Sequence, residues 1–247
     1  MNILITGSDG FIGKNLFNDI INKTNHKVFP FTREHNFEDL EKVILKIDIV
    51  FHFAGINKSA ENNDFEKVNV GFTKKLCSIL GKSKNTSLIY ASSTQAKLDN
   101  YYGRSKKKSE EICLNLEKKF RNKVYIMRLP GIFGIGCKPN YNSVVSTFCF
   151  NTANDIELKI FDPKKEIELL YVSDLNNQLI SFIENIGINN HKFLEIKNKH
   201  KITIENLALL IKNFKNITNE KIFLDEKEKL EINLYKTYKS FKNKTKE

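Results

Sequence analysis

No two cysteines in this chain of 247 residues stand at CxxC spacing, and no Cys/His pattern matches a zinc site. The four present, Cys77, Cys113, Cys137 and Cys149, lie far apart. They read as isolated thiols of a reducing compartment, with two disulfides as the alternative, and no metal site is expected. Long hydrophobic runs are also missing. The most apolar stretch, Val144 to Phe150, falls far short of the roughly 20 residues a membrane helix needs. The N-terminal MNILITGSDG is too short for a signal peptide and carries an acid at Asp9. A membrane partner is not expected, and a cytoplasmic location is. There is no internal repeat and no low-complexity linker, and a hydrophobic content of 40% excludes a wholly disordered chain.

The net charge of +11 raises a nucleic-acid reading. The lysines, however, are scattered and interleaved with Asp and Glu rather than gathered in a stripe, so no nucleic-acid partner is expected. Part of the excess sits after Tyr235 (Lys236, Lys239, Lys242, Lys244 and Lys246), which reads as a solvated end. A positive field would still help draw in an anionic nucleotide.

What the chain does have is alternation. Apolar strand patterns at Asn2–Thr6, Lys27–Phe31, Asp48–Phe53, Ser87–Ala91 and Lys123–Leu129 alternate with helical ones. The helical patterns run at Phe11–Ile21, Phe37–Ile47, Asp64–Leu80 and Tyr101–Phe120. Phe11, Leu16, Ile20 and Ile21 are expected inward on the first helix, and Ile112, Leu116 and Phe120 share a face of the last. Pro30 weakens the second strand and is expected near its end. The order predicts an α/β fold with a parallel sheet covered on both sides. Past Pro130 the pattern loosens, and a small second lobe is expected from about 131–170 and 188–247. It ends in amphipathic Ile204–Phe214 and a charged terminal helix.

The segment Gly7-Ser8-Asp9-Gly10-Phe11-Ile12-Gly13 follows the first strand and opens a helix. Glycines there allow a tight turn and close backbone approach to a pyrophosphate, which meets the helix N-terminus. Beyond the second strand, Arg33 stands where an acid would hold the ribose of NAD and an Arg would pair with the 2′-phosphate of NADP, so NADP(H) is favoured over NAD(H). The third strand leads into Phe53-Ala54-Gly55, whose small residues let backbone lie against the adenosine half. His52, inward on that strand, reads as a packed core histidine.

Tyr102 and Lys106 are four apart at the start of a helix and so share one face. A phenol needs help to exchange a proton near neutrality, and a neighbouring ammonium favours phenolate. Just upstream, Ser92-Ser93-Thr94 ends the fourth strand, at the sheet edge where such folds bind ligands, and supplies a hydroxyl to hold a reacting oxygen.

With the glycine loop, these elements in this order resemble the extended short-chain dehydrogenase/reductases, the NAD-dependent epimerase/dehydratase family. The resemblance covers most of the chain. Asn69-Val70, Arg128 before Pro130, Phe133-Gly134 and Tyr171-Val172-Ser173-Asp174 support it. A narrower resemblance rests on Asn100–Gly103, Cys137–Val144 and Thr147–Cys149. It is to the reductase half of bacterial capsule and O-antigen enzymes of the UDP-N-acetyl-L-fucosamine pathway. Such enzymes reduce a UDP-4-keto-6-deoxy-hexosamine with NADPH, and a C-terminal cupin domain performs 3-epimerisation. The sequence ends at Glu247, about where a cupin would begin, so a separate cupin-type epimerase stands as a candidate partner beside the UDP-sugar substrate. A homodimer is a further candidate.

The resemblance implies a Rossmann-type doubly wound sheet. It assigns 1–170 to an NADP-binding domain, with 131–170 partly substrate-facing, and 171–247 to a helix returning to the sheet and a small C-terminal lobe. It implies that Tyr102 protonates the C4 oxygen, Ser93 orients it, and Lys106 binds the nicotinamide ribose and lowers the tyrosine pKa. Leu129 joins the cofactor contacts. Thr94, Gln95, Gly131, Lys138 and Asn142 are the substrate candidates, although many relatives carry Asn in place of Gly131. A 4,6-dehydratase is disfavoured because Thr94-Gln95-Ala96 supplies no acid and base. A 4-epimerase and a non-catalytic dinucleotide-binding protein remain alternatives.

Overall fold

The computed structural model describes residues 1–83, 85–186, 191–218 and 228–242. They form two compact units, Met1–Leu129 with Asn176–Ile196, and Pro130–Leu175 with Lys197–Glu247.

The first unit is built on five parallel strands in the order β2-β1-β3-β4-β5. These are β1 (Asn2–Thr6), β2 (Lys27–Phe31), β3 (Ile49–His52), β4 (Ser87–Ser93) and β5 (Val124–Leu129). Every residue of β3 and β4 is buried, as expected for central parallel strands covered on both faces. Pro30 sits on β2, an edge of the sheet, where a missing N–H is tolerated. The helices are α1 (Phe11–Lys23), α2 (Phe37–Val43), α3 (Gly71–Leu80) and α4 (Tyr101–Phe120). A wide helical turn, Phe65–Val70, leads into α3. Register aligns Thr6 with His52, His52 with Tyr90, and Ser93 with Leu129, so the carboxyl ends of the strands form one rim. Between β1 and β3 the winding direction reverses, which is where such sheets open a crevice.

Two helix faces differ from expectation. In α1, Leu16 and Ile20 are fully buried, but Phe11 is half-buried and Ile21 is 51% exposed. In α4, Leu116 is buried while Ile112 is half-buried and Phe120 is 44% exposed. The inward face of α4 is instead Ser105, Lys106, Ser109, Glu110, Cys113 and Leu116. Polar residues occupy it because tertiary partners satisfy them, a compensation that apolar periodicity does not register.

The second unit holds a three-stranded sheet in the order β6-β7-β8: β6 (Gly131–Phe133), β7 (Glu166–Tyr171) and β8 (His200–Thr203). With it are α5 (Val144–Ala153), α7 (Ile204–Asn213) and α8 (Lys229–Lys242). The chain passes from this unit back to the first within α6 (Val172–Glu184), where Phe182 meets Tyr125 of β5 edge-on. The second lobe expected from about 131–170 and 188–247 agrees in outline with this interleaved arrangement, whereas the linear division at residue 170 gives way to it. Residues 131–170 belong to the small sheet because β6 pairs with β7. The chain after Tyr235 is not a solvated end as far as Lys242: Thr237, Tyr238 and Phe241 of α8 are buried in the core of this unit. Lys244 and Lys246 lie outside the described residues. The four cysteines are free. Among the described residues no helix is long and apolar enough to cross a membrane.

Candidate active site

The turn after β1 is built around its glycines. Gly7 has φ +68°, and a Cβ there would meet the Ala54 nitrogen at 2.8 Å. A Cβ on Gly13 would stand 2.2 Å from the Gly7 carbonyl oxygen. The loop folds on itself through Gly10 N–H donating to the Gly7 carbonyl at 3.0 Å, and it joins the sheet through Gly7 N–H donating to Phe31 at 2.8 Å. Gly10 caps α1 with no side-chain hydrogen bond, and the first turn holds no acid. The helix thus presents N–H groups and the positive end of its dipole to the rim, a cradle that fits a pyrophosphate. Asp9 and Gly10 are exposed, and Phe11 and Ile12 half-buried.

Phe53 and Ala54 follow β3 beside this turn. Ala54 N–H donates to Thr6 Oγ1 at 3.2 Å, and Phe53 stacks on Phe51. Gly55 is exposed. Arg33 lies two residues beyond β2 with its side chain in solvent. Neighbouring Thr32 bonds through both N–H and hydroxyl to His35 Nδ1. His52 is fully buried between the hydroxyls of Thr6 (2.8 Å) and Thr73 (2.9 Å). Burial holds its pKa down to about 3, so it is a neutral packed residue.

Asn100 caps α4 by accepting from Gly103 N–H at 2.7 Å, which sets the helix start and places Tyr102 and Lys106 on the face toward β4. The ends of β4 and α4 are tied by consecutive residues. Lys106 Nζ donates to the Ala91 carbonyl at 2.7 Å, and Ser92 Oγ donates to Glu110 Oε1 at 2.5 Å. Ser93 is a hydrogen-bonding neighbour of the Tyr102 phenol. Lys106 Nζ also lies 6.0 Å from the Tyr102 ring centre and 4.8 Å from that of Tyr90. Burial raises the Tyr102 pKa above 10.0, and the Ser93 hydrogen bond opposes the rise. Burial lowers Lys106 to about 8.

The structure therefore brings Ser93, Tyr102 and Lys106 together, with Leu129 beside Ser93 in register. Thr94 and Gln95 follow as an exposed turn, and Gln95 N–H donates to Ser93 Oγ at 3.2 Å. Gly131, Lys138 and Asn142 are exposed residues of the second unit. There Asn142 lines a cavity of about 400 Å³ with Tyr141, Ser143, Thr147 and Lys165, whereas Lys138 does not. Sequence reading missed Glu110 and the hydroxyls of Thr6 and Thr73. Asn69 has no evident role in the sequence pattern. Asn69 bonds both N–H and carbonyl of Ile56 and donates to Ser105 Oγ at 3.0 Å, fixing the loop after β3 to α4. For Glu110 a signal existed: it stands four residues beyond Lys106, on the same helix face.

A family model described as the NAD dependent epimerase/dehydratase family matches residues 3–193. A Pseudomonas aeruginosa protein named UDP-2-acetamido-2,6-beta-L-arabino-hexul-4-ose reductase is 34% identical over 242 residues, 98% of this chain and 65% of that protein. A crystal structure of the capsular polysaccharide assembling protein CapF from Staphylococcus aureus superposes with TM-score 0.83 at 32% identity. It aligns with 99% of this chain, which covers 66% of CapF. The chain thus spans a little under two thirds of these relatives. The UDP-glucuronic acid 4-epimerase of Bacillus cereus in complex with NAD gives TM-score 0.85 at 18% identity, covering 98% of this chain and 99% of the epimerase, a likeness of fold alone.

Proposed function

Because this chain belongs to the NAD dependent epimerase/dehydratase family, we propose that it reduces the C4 keto group of a UDP-4-keto-6-deoxy-N-acetylhexosamine with NADPH, in surface polysaccharide precursor synthesis in the cytoplasm. The observation that carries this is the convergence of Ser93, Tyr102 and Lys106 at the carboxyl end of β4. The name of the Pseudomonas aeruginosa relative supports the choice of a keto sugar.

NADPH, when bound, supplies the hydride. Gly7, Asp9, Gly10, Phe11, Ile12 and Gly13 form the cradle for its pyrophosphate, Arg33 pairs with the 2′-phosphate, and Phe53, Ala54, Gly55 and Leu129 line its flanks. Ser93 donates a hydrogen bond to the substrate carbonyl oxygen and fixes its direction. Tyr102 gives its phenolic proton to that oxygen as negative charge develops there. The Lys106 ammonium stabilises the phenolate left behind and bonds the nicotinamide ribose. Thr94, Gln95 and Gly131 are assigned to the sugar, and Lys138 to phosphate. In the second unit the cavity lined by Asn142 and Lys165 suits an anionic nucleotide. A homodimer and a cupin-type epimerase activity are proposed to accompany this chain.

The test is incubation of purified protein with NADPH and this UDP-4-keto sugar, following reduced-nicotinamide absorbance. A stoichiometric fall with formation of the 4-hydroxy sugar is expected. Interconversion of 4-epimers without net NADPH consumption would make the chain an epimerase, which uses the same Tyr and Ser. Dinucleotide binding without turnover of any 4-keto sugar would leave only a binding protein.

A further inference from the structure

Glu110 is a buried carboxylate, 3% exposed, one helical turn beyond Lys106 on the inward face of α4. It accepts from Arg128 Nε at 2.9 Å and from Nη2 at 2.6 Å, a two-pronged ion pair, and from Ser92 Oγ at 2.5 Å. Arg128 is in turn covered by the Phe193 ring, 4.9 Å away. The pair is half-buried, with 29% of the Arg128 side chain exposed against 4% of Glu110, so the desolvation cost falls on the carboxylate. Its place here gives it another use. Ser92 lies between Ala91, whose carbonyl holds Lys106, and Ser93, which adjoins Tyr102.

We propose that Glu110, held by Arg128, is a positioning residue: it clamps β4 to α4 so that Ser93 meets the substrate oxygen, and it sets a negative charge one helical turn from Lys106 on the same buried face. The inference rests on the reductase reading above. Lys106 is surrounded by Tyr90 of β4, His52 of β3, Tyr102 and Cys113 of its own helix, and Cys77 of α3 beside Cys113. Arg128 of β5 is spent on Glu110. Burial lowers the Lys106 pKa, and Cys113 and then Glu110 oppose it. Burial also keeps the Cys113 thiol protonated, which leaves Glu110, the only carboxylate in this set, as the ionised partner.

Three variants separate clamp from charge, each assayed for kcat against pH at saturating NADPH and UDP-4-keto-6-deoxy-N-acetylhexosamine. Glu110→Gln should move the alkaline limb of the profile to lower pH by about half a unit or more. Glu110→Asp keeps the charge and should leave the limb in place while lowering kcat. Ser92→Ala removes only the hydroxyl; it should lower kcat severalfold without moving the limb. A folded Glu110→Gln protein with an unmoved limb overturns the electrostatic role, and undiminished kcat in Ser92→Ala overturns the clamp. Should Glu110→Gln fail to fold, a displaced limb in Glu110→Asp or full kcat in Ser92→Ala overturns the proposal. Tyr102→Phe run in parallel distinguishes the two levels. Full activity there removes the reductase site itself, whereas an inactive Tyr102→Phe with an unmoved Glu110→Gln limb removes this inference alone.

Discussion

Ser92 and Ser93 are adjacent in β4 and face opposite ways: Ser92 donates to Glu110, and Ser93 is the hydrogen-bonding neighbour of Tyr102. Strand alternation divides two chemically identical hydroxyls between the interior and the rim. The three serine-or-threonine positions ending β4 thereby become distinct, with Thr94 exposed in the following turn.

Removing the phenolic proton should stop the chemistry and spare binding. Tyr102→Phe is expected to lower kcat by at least about 100-fold. NADPH affinity, measured by quenching of protein fluorescence, should stay near the wild-type value, because the phosphate cradle is elsewhere on the rim.

Lys106 makes activity and stability respond to pH in opposite directions. Its folded pKa of about 8 lies below the ordinary 10.5. The ammonium is lost as pH rises through about 8, and kcat should fall there. Between about 8 and 10.5 the unfolded chain binds the extra proton, so this group's contribution to stability rises with pH over that interval. Rate profiles and denaturant melts across the same range check both signs; a kcat that is flat through pH 8 contradicts the assignment.

Arg33 should decide between cofactors. Arg33→Ala is expected to weaken NADPH about tenfold, the equivalent of roughly 1.4 kcal/mol, and NADH far less. Titration calorimetry with each dinucleotide measures the ratio. Equal losses for both would mean that the guanidinium does not read the 2′-phosphate.

Gly13→Ala is expected to destabilise the first unit by about 1–3 kcal/mol, since the added carbon falls 2.2 Å from the Gly7 carbonyl oxygen. Thermal melting measures the loss, and NADPH should protect the variant less than it protects the parent. Relief by backbone shift would open the turn that holds the pyrophosphate.

Much of the first unit was legible because its signals are local. The turn at Gly7–Gly13 lies between an apolar strand and a helix, and α4 runs over the expected Tyr101–Phe120 because Asn100 caps it. The spacing of Tyr102 and Lys106 needs only helical geometry. The buried face of α4 is not legible in this way: Ile112 and Phe120 follow apolar periodicity, while Lys106 and Glu110 go inside.

Sequence alone determined the alternation of strands and helices, the glycine turn and the Tyr–Lys face, because each depends on residues within a turn or two of one another. Tertiary structure alone decided that Ser92 turns inward to Glu110, that Glu110 is buried against Arg128, and that Thr237, Tyr238 and Phe241 pack into a core rather than forming a solvated end. Those outcomes depend on pairing between segments far apart in the chain, where strand register and the need to satisfy buried polar groups outweigh local preference.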